Sequence, residues 1–168
     1  MQMRLDYINA SPGGVKAFGG VYGYIVQSGL EDVLIDLVYL RVSQINGCAY
    51  CLDIHTRDLI KKNVTPAKLA LVQAWREAEP MFSDRERAAL AWAESVTLVA
   101  DTHVPDDDFN AVAAVFSEKE LADLTMAIGL MNAYNRLAIS FRRVPDSVFA
   151  AKSESVSRLS SAKMEKRS

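Results

Sequence analysis

The chain has 168 residues, of which 50% are hydrophobic, and this is enough apolar material for one domain with a real core. Its 19 basic residues are offset by 21 acidic ones and are scattered along the chain, which argues against a nucleic-acid partner. No stretch approaches the roughly 18 uncharged apolar residues of a membrane span, the start does not resemble a signal peptide, and two cysteines make no secreted disulfide scaffold, so we expect a cytoplasmic protein without a membrane partner.

The periodicity of the apolar residues predicts helices and no hairpins. Thr65 followed by proline is a typical helix start. Ser83 with Glu86, and Ser117 with Glu120, match the capping box that opens many helices. The predicted helical spans are 13–28, 31–45, 48–62, 66–78, 84–101, 106–116 and 118–141.

Two of these spans depend on the rest of the fold. Residues 13–28 contain five glycines, each of which weakens a helix by up to about 1 kcal/mol relative to alanine, so this helix needs tertiary contacts. The apolar run 33–42 would also suit a buried strand. No partner strand is predicted elsewhere, and a single strand is not stable alone. We therefore predict a helix there and an all-α fold.

The last predicted helix carries an apolar seam for packing against another helix, including one from another subunit. Short, numerous helices in a chain of this size leave faces uncovered, and symmetric assembly is a common way to bury them. We therefore expect a homo-oligomer. The seam residues are Leu121, Leu124, Ile128, Met131, Asn135 and Ala138. The predicted helical domain covers residues 1–145, and residues 146–168 have the composition of a polar surface tail.

Both cysteines and one of the two histidines lie in the eight residues from Cys48 to His55. In a helix, Cys48, Cys51 and His55 would fall within an arc of roughly 60°. Two cysteines three positions apart at a helix start can form a disulfide, and the free amides there lower a thiol pKa from about 8.5. Asn46 as the N-cap would place Cys48 nearest to those amides. His55, one turn beyond Cys51, could accept its proton.

Other interpretations of this motif remain open. The two cysteines and His55 could bind a metal, with His103 as the fourth ligand, although structural zinc ligands usually lie on turns rather than along one helix. The cysteines could also simply be buried beside an incidental histidine. A thioredoxin-like domain needs strands around its motif, and none is predicted here. We favour thiol redox chemistry in an all-helical fold, with no metal and no cofactor.

Three segments, residues 43–56, 82–94 and 124–137, resemble the AhpD-like alkylhydroperoxidases of the carboxymuconolactone decarboxylase superfamily. The similarity covers roughly residues 1–145, and the cysteine motif is its most specific part. It implies an AhpD-like helical bundle that assembles as a trimer or hexamer. It also implies an antioxidant enzyme with peroxiredoxin activity, which reduces hydroperoxides through a dithiol/disulfide cycle and is restored by a dithiol reductant or carrier protein.

The resemblance also implies roles for individual residues. Cys51 would attack the peroxide, Cys48 would resolve the product and His55 would support Cys51, whereas the helix start alone favours Cys48 as the more reactive thiol. The family's relay glutamate corresponds to Asp36, whose shorter side chain would need a bridging water. The family's histidine before the second cysteine corresponds to Tyr50. On a helical wheel Tyr50 points away from the sulfurs, and it titrates near 10, so we expect a poorer proton relay.

These departures keep a second redox function open, a dithiol–disulfide oxidoreductase or redox sensor with little peroxidase activity. Two further alternatives rank lower. Lactone decarboxylation occurs in the superfamily but does not need paired cysteines, and a zinc-stapled helical assembly module would have no turnover. Outside the motif, Asn132, Asn135 and Arg136 are interpreted as hydrogen-bonding residues that fix helix packing, and His103 as a surface loop residue.

Overall fold

The computed structural model describes residues 2–151, and within that range the regular elements are all helical. The α-helices are α1 (Tyr7–Ala10), α2 (Pro12–Val26), α3 (Asp32–Asn46), α4 (Ala49–Lys61), α5 (Pro66–Leu71), α6 (Asp84–Thr97), α7 (Val99–Thr102), α8 (Asp106–Ala113) and α9 (Glu118–Phe141). Two 3₁₀ helices, Val72–Glu77 and Glu79–Met81, connect α5 to α6. In the described range no helix is both long and apolar enough to cross a bilayer.

The predicted helical spans are confirmed, with two corrections and two additions. The span 66–78 is a short α-helix that continues as a 3₁₀ helix with a kink at Ala74 (φ −122°, ψ 30°). The span 84–101 is interrupted at Leu98 (φ −95°, ψ 29°). The Thr102 hydroxyl donates to the Ser95 carbonyl at 2.8 Å, which satisfies a carbonyl that the ending helix leaves free. The sequence did not predict α1 or the 3₁₀ helix at residues 79–81.

Side-chain caps fix the start of three helices where the sequence predicted them. In both capping boxes the serine hydroxyl accepts from the backbone of the glutamate three residues later, and that glutamate accepts from the serine backbone. The pairs are Ser83 with Glu86 and Ser117 with Glu120. The Thr65 hydroxyl accepts from the Lys68 N–H at 3.2 Å at the start of α5. These local signals succeed because they depend only on neighbouring residues.

The central helix is α3, which packs against α4, α6 and α9 at once. Its apolar run therefore lacks a solvent face, which is why the run also resembles a buried strand. Most of α3 is buried, including Tyr39, Val38 and Leu37, which have no exposed surface. One carboxylate, Asp36, lies inside this apolar surface, and α3 thereby places a charge next to the cysteine motif on α4.

The apolar seam of α9 packs against other helices, as predicted, and these helices belong to this chain rather than to another subunit. All six seam residues are buried, and α9 packs on α2, α3 and α6. A central helix with no solvent face needs partners on several sides, and α9 is one of them. Exposed apolar side chains lie outside the seam, among them Tyr22 and Tyr24 on α2 and Met126 on α9. The homo-oligomer remains a prediction.

The first residues of the predicted tail continue the structured part of the chain. Residues 146–151 are helical, and the Ser147 hydroxyl and backbone N–H both donate to the Asp53 carboxylate on α4. Asp146 accepts from Arg57 at 3.1 Å. The beginning of the tail is therefore attached to the helix that carries the cysteines. The remainder of the predicted tail, residues 152–168, lies outside the described residues.

Candidate active site

A tight turn between α3 and α4 positions the two cysteines. Gly47 ends α3 in the left-handed conformation (φ 68°, ψ 33°), which glycine adopts without steric cost. The Cys48 N–H donates to the Ser43 carbonyl at 3.0 Å and closes this end of α3. α4 begins at the next residue, and Cys48 is its N-cap. The motif therefore lies at a helix start, as its spacing predicted.

The prediction that Asn46 caps this helix was wrong. Asn46 is the last residue of α3, because the chain reverses at Gly47 rather than before it. Its side-chain amide donates to the Asn132 Oδ1 at 3.0 Å and to the Asn135 Oδ1 at 2.9 Å, both on α9. Asn46 therefore anchors the cysteine turn to α9. The interpretation of Asn132 and Asn135 as packing residues agrees with these contacts.

Cys48 and Cys51 are joined by a disulfide, with their Cα atoms 5.4 Å apart, within the usual range of about 4.4–6.8 Å. Both are buried, with 1% of Cys48 and 5% of Cys51 exposed. The Cys51 N–H donates to the Cys48 sulfur at 3.3 Å. Cys48 is thus the sulfur nearest to the free amides of the helix start, and these amides would stabilise its thiolate after reduction.

His55 connects the cysteines to a buried carboxylate. It lies one turn beyond Cys51 on α4, and its Nδ1 is 3.4 Å from the Asp36 Oδ1 on α3. The other oxygen of Asp36 accepts from the Lys62 ammonium at 2.8 Å. Burial raises the pKa of Asp36, but its contacts with His55 and Lys62 outweigh burial and hold that pKa below its ordinary value. Asp36 is therefore ionised at neutral pH. Its carboxylate lies between the Lys62 ammonium and the His55 imidazole.

A buried tyrosine packs against the imidazole of His55. The ring centroids of Tyr39 and His55 are 5.1 Å apart. Burial raises the pKa of Tyr39, with smaller contributions from Tyr22 and Asp36, so its hydroxyl stays protonated. Among the described residues, neither this hydroxyl nor His55 Nδ1 has a well-aligned hydrogen-bond partner. The 3.4 Å contact with Asp36 is therefore electrostatic rather than a well-formed hydrogen bond.

A cavity of about 300 Å³, hereafter the Cys51 cavity, opens beside Cys51 and His55. Tyrosines make up much of its wall, and Met131, Ala138 and Ile54 add apolar surface. Its tyrosines are Tyr7, Tyr22, Tyr50 and Tyr134, and the polar lining is completed by Asp58 and Arg143. The buried sulfur of Cys51 and the imidazole of His55 thus face a largely aromatic space of the size in which small ligands bind, from about 300 Å³ upwards.

A second cavity of about 630 Å³, hereafter the Cys48 cavity, lies on the other side of the disulfide. Its lining includes Cys48 and three arginines, Arg4, Arg142 and Arg143. Tyr50 and Arg143 line both cavities. Tyr50 therefore borders the cavity beside each sulfur, and its orientation away from the sulfurs stays a prediction.

The structure brings together all four site residues that the sequence predicted, Asp36, Cys48, Cys51 and His55. Sequence reasoning missed Lys62, although it follows His55 by seven residues, or about two helical turns, and could have been placed on the same face. Other residues reach the site from α3, from α9 and from the segment after α9. No pattern close to the cysteine motif in the sequence indicated them. Tyr39, Tyr134 and Arg143 are the main examples.

The metal interpretation of the motif finds no support in the described residues. His103 is an exposed residue that follows α7 in the left-handed conformation (φ 53°). Across residues 2–151, no group of three or more His, Cys, Asp or Glu side chains is arranged to bind a metal ion. The prediction of a surface position for His103 is confirmed.

Comparisons with known proteins point to one family. The model of the carboxymuconolactone decarboxylase family matches residues 12–95. The uncharacterized protein YdfG of Bacillus subtilis (strain 168) is 34% identical over 140 residues, which are 83% of this chain and 95% of that protein. The residues matched by the family model, 12–95, include the cysteine motif and helix α3.

Solved structures agree with this result. A protein of unknown function from Agrobacterium tumefaciens, proposed to be the antioxidant defence protein AhpD, is 40% identical with a TM-score of 0.82, covering 86% of this chain and 98% of that one. An uncharacterized peroxidase-related protein from Ralstonia eutropha JMP134, described as an alkylhydroperoxidase AhpD core, is 21% identical with a TM-score of 0.73 and covers 85% and 76%, respectively. The second likeness concerns the fold alone. The predicted all-α AhpD-like fold is confirmed, and the chain belongs to the carboxymuconolactone decarboxylase family, within the superfamily of the AhpD-like proteins.

Proposed function

We propose that the protein is a thiol-dependent peroxidase that reduces organic hydroperoxides through Cys48 and Cys51. One observation carries this proposal. Cys51 and His55 line the same 300 Å³ cavity, one helical turn apart, while the Cys48 sulfur lies within bonding reach of Cys51. A peroxide in this cavity would meet a thiol and a base together, and the product would meet a second thiol. Membership of the AhpD superfamily adds support for peroxide chemistry.

The chemical steps follow from these positions. His55 takes the proton of the Cys51 thiol, and the thiolate attacks the terminal oxygen of the hydroperoxide and breaks the O–O bond. Cys51 becomes a sulfenic acid, and the departing alkoxide takes the proton back from His55 as an alcohol. Cys48 then attacks the oxidised sulfur, so that a disulfide forms and water leaves. Two thiols and one peroxide thus give one disulfide, one alcohol and one water.

Asp36 supports His55 in this scheme and does not touch the substrate. Its charge lies 3.4 Å from the imidazole, close enough to offset the positive charge that His55 carries after it takes the Cys51 proton. A dithiol reductant or carrier protein restores the two thiols by exchange. The Cys48 cavity gives such a partner a route to the Cys48 sulfur. We expect the working protein to be a homo-oligomer, a trimer or hexamer.

A second candidate function is a dithiol–disulfide oxidoreductase or redox sensor with little peroxidase activity. Lys62 favours this alternative, because it shares the Asp36 carboxylate at 2.8 Å and thereby reduces its influence on His55. The disulfide would form in either case. The two functions differ in whether a hydroperoxide oxidises the pair faster than a disulfide exchange partner does.

Cysteine variants test the proposal. In Cys48→Ser, hydroperoxide should leave a sulfenic acid on Cys51 that dimedone captures, because the resolving thiol is gone. Cys51→Ser should consume no peroxide. His55→Ala should retain both thiols but react about 10²-fold more slowly, the usual scale for a positioned acid or base. The measurements are peroxide consumption with dithiothreitol as reductant and mass spectrometry of the adduct.

Each variant has an outcome against the proposal. If Cys51→Ser keeps its activity and Cys48→Ser does not, the roles are reversed, as the amide contact of Cys48 would allow. If the wild type exchanges rapidly with disulfides but reacts with hydroperoxides no faster than a free thiol, the oxidoreductase alternative is correct. His103→Ala is the matched control, because that histidine is exposed and lines neither the Cys51 cavity nor the Cys48 cavity, and its activity should be unchanged.

A further inference from the structure

Arg143 is a cation placed at the active site without an anionic partner. It lines both the Cys51 cavity and the Cys48 cavity. Within residues 2–151, no carboxylate lies within 4.0 Å of its guanidinium, whereas Arg41 and Arg57 each pair with a carboxylate. Its backbone N–H donates to the Ala138 carbonyl at 2.9 Å, which attaches this position to the end of α9. The side chain is half-buried.

Two tyrosine rings hold the guanidinium in place. Its central carbon lies 4.5 Å from the ring centroid of Tyr50 and 5.8 Å from that of Tyr7. Such contacts stabilise a cation and leave the N–H groups at the edge of its plane free to donate. A planar group of this kind binds a carboxylate with two parallel hydrogen bonds. The cation is therefore oriented for an anion that the described residues do not supply.

The charges around Arg143 also favour an anion. Arg4 and Arg142 line the Cys48 cavity with it, and no acidic residue within 2–151 does. The Cys51 cavity has one acidic lining residue, Asp58, whose carboxylate is occupied by Lys61 at 2.7 Å. Asp36 lies behind His55 and is bound by Lys62. The charged residues that line the Cys48 cavity are therefore all basic, while Asp6 and Asp146 lie on a further cavity that Arg143 also borders and are bound by Asn9 and Arg57, respectively.

The remaining wall of the Cys51 cavity indicates the body of the ligand. Tyr22 and Tyr134 face the same space as Tyr7 and Tyr50, and Met131 adds apolar surface. Flat aromatic or similarly apolar groups pack well against such rings. A small ligand can thus place its body against the tyrosines, its reactive end at Cys51 and an anionic group at Arg143.

We propose that the substrates of this site are hydroperoxides of aromatic or similarly apolar carboxylic acids, with Arg143 binding the carboxylate. This inference rests on the proposed peroxidase function. It differs from that function in naming the substrate class and a residue that recognises it. Arg143 contributes affinity and orientation, and the O–O cleavage remains with Cys51 and His55.

A matched pair of substrates tests the inference in turnover. Cumene hydroperoxide and its para-carboxylate differ only in the charged group. The wild type should show about ten-fold higher kcat/KM for the carboxylate, mainly through a lower KM, as one charge-assisted contact at a partly exposed site would give. Arg143→Gln should lose this preference, because its kcat/KM should fall about ten-fold more for the carboxylate than for cumene hydroperoxide. Lys16→Gln is the control, because it also removes one positive charge but from an exposed position that lines neither cavity, and it should keep the preference.

Equal kcat/KM values for the two peroxides in the wild type would overturn the inference and leave the peroxidase function standing. A preference that survives in Arg143→Gln would overturn it as well, because another group would then bind the carboxylate. Added salt should weaken the preference, since a partly exposed ion pair is screened.

Binding without turnover tests Arg143 independently of the proposed function. The oxidised protein should bind 4-isopropylbenzoate more tightly than 4-isopropylbenzamide by about ten-fold in isothermal titration calorimetry. Arg143→Gln should remove the difference and Lys16→Gln should not. If both ligands bind equally, or neither binds, the carboxylate site is refuted even where peroxidase activity is present. If the site binds the anion but no peroxide is consumed, the site stands and the peroxidase function fails.

Discussion

Replacing Asp36 with asparagine should slow disulfide formation while leaving both thiols intact. The imidazole that takes the Cys51 proton becomes a cation 3.4 Å from the Asp36 carboxylate. Two full charges at that distance attract by roughly 5 kcal/mol at an effective dielectric constant of about 20. Lys62, at 2.8 Å from the same carboxylate, already offsets much of its charge. We therefore expect a loss of about 2–3 kcal/mol, or roughly 30- to 150-fold in rate.

The assay is rapid mixing of reduced protein with cumene hydroperoxide, quenching with an alkylating reagent and counting of free thiols by mass spectrometry. Asp58→Asn is the matched control, because Asp58 is also an acidic residue beside the Cys51 cavity but is paired with Lys61 rather than His55. It should react within about two-fold of the wild type.

A double variant shows whether Asp36 acts through His55. If it does, Asp36→Asn combined with His55→Ala should be no slower than His55→Ala alone, since the carboxylate has nothing left to orient. Fully additive losses would refute the relay. So would an unchanged rate in Asp36→Asn, which would mean that Lys62 neutralises the carboxylate completely.

Three further predictions concern stability. Tyr39→Phe should leave the free energy of unfolding unchanged or raise it slightly in urea denaturation, because its buried hydroxyl has no partner among the described residues. Asn135→Ala should lower it by about 2–3 kcal/mol, because Asn46 and Ser43 each lose a hydrogen bond at a wholly buried position. The pKa of Asp36 is depressed in the folded protein, so ionised Asp36 stabilises the fold at neutral pH and this contribution is lost as pH falls through that pKa. The difference in free energy of unfolding between wild type and Asp36→Asn should therefore shrink below about pH 4.

Local chemistry made much of the fold predictable. The capping boxes at Ser83 and Ser117 depend on residues within one turn, and both form as predicted. The cysteine spacing likewise placed the motif at a helix start. Asn46 shows where local signals fail. Asparagine is a common N-cap residue, but α3 ends at Asn46 and the turn at Gly47 makes Cys48 the N-cap of α4. The conformation of one glycine decided which side chain became the cap.

The parts that were not predictable depend on packing between distant segments. The regular spacing of α9 indicated an apolar face, but not that α2, α3 and α6 would cover it. Arg143 and Tyr134 reach the cysteines only because α9 ends beside the start of α4. The spacing of residues along the sequence does not indicate which distant segments will pack together. The resemblance to the AhpD-like family supplied Asp36, which lies 12 positions from Cys48 and would not have been chosen from periodicity alone.

The stoichiometry of a single turnover tests the proposed peroxidase function most directly. Reduced wild-type protein is mixed with less than one equivalent of cumene hydroperoxide, and both products are measured. One disulfide between Cys48 and Cys51 and one molecule of cumyl alcohol should form for each peroxide consumed, with a loss of two hydrogens from the protein mass. Peroxide that persists beside free thiols, or a disulfide that forms only between chains, would contradict a peroxidase cycle through Cys48 and Cys51.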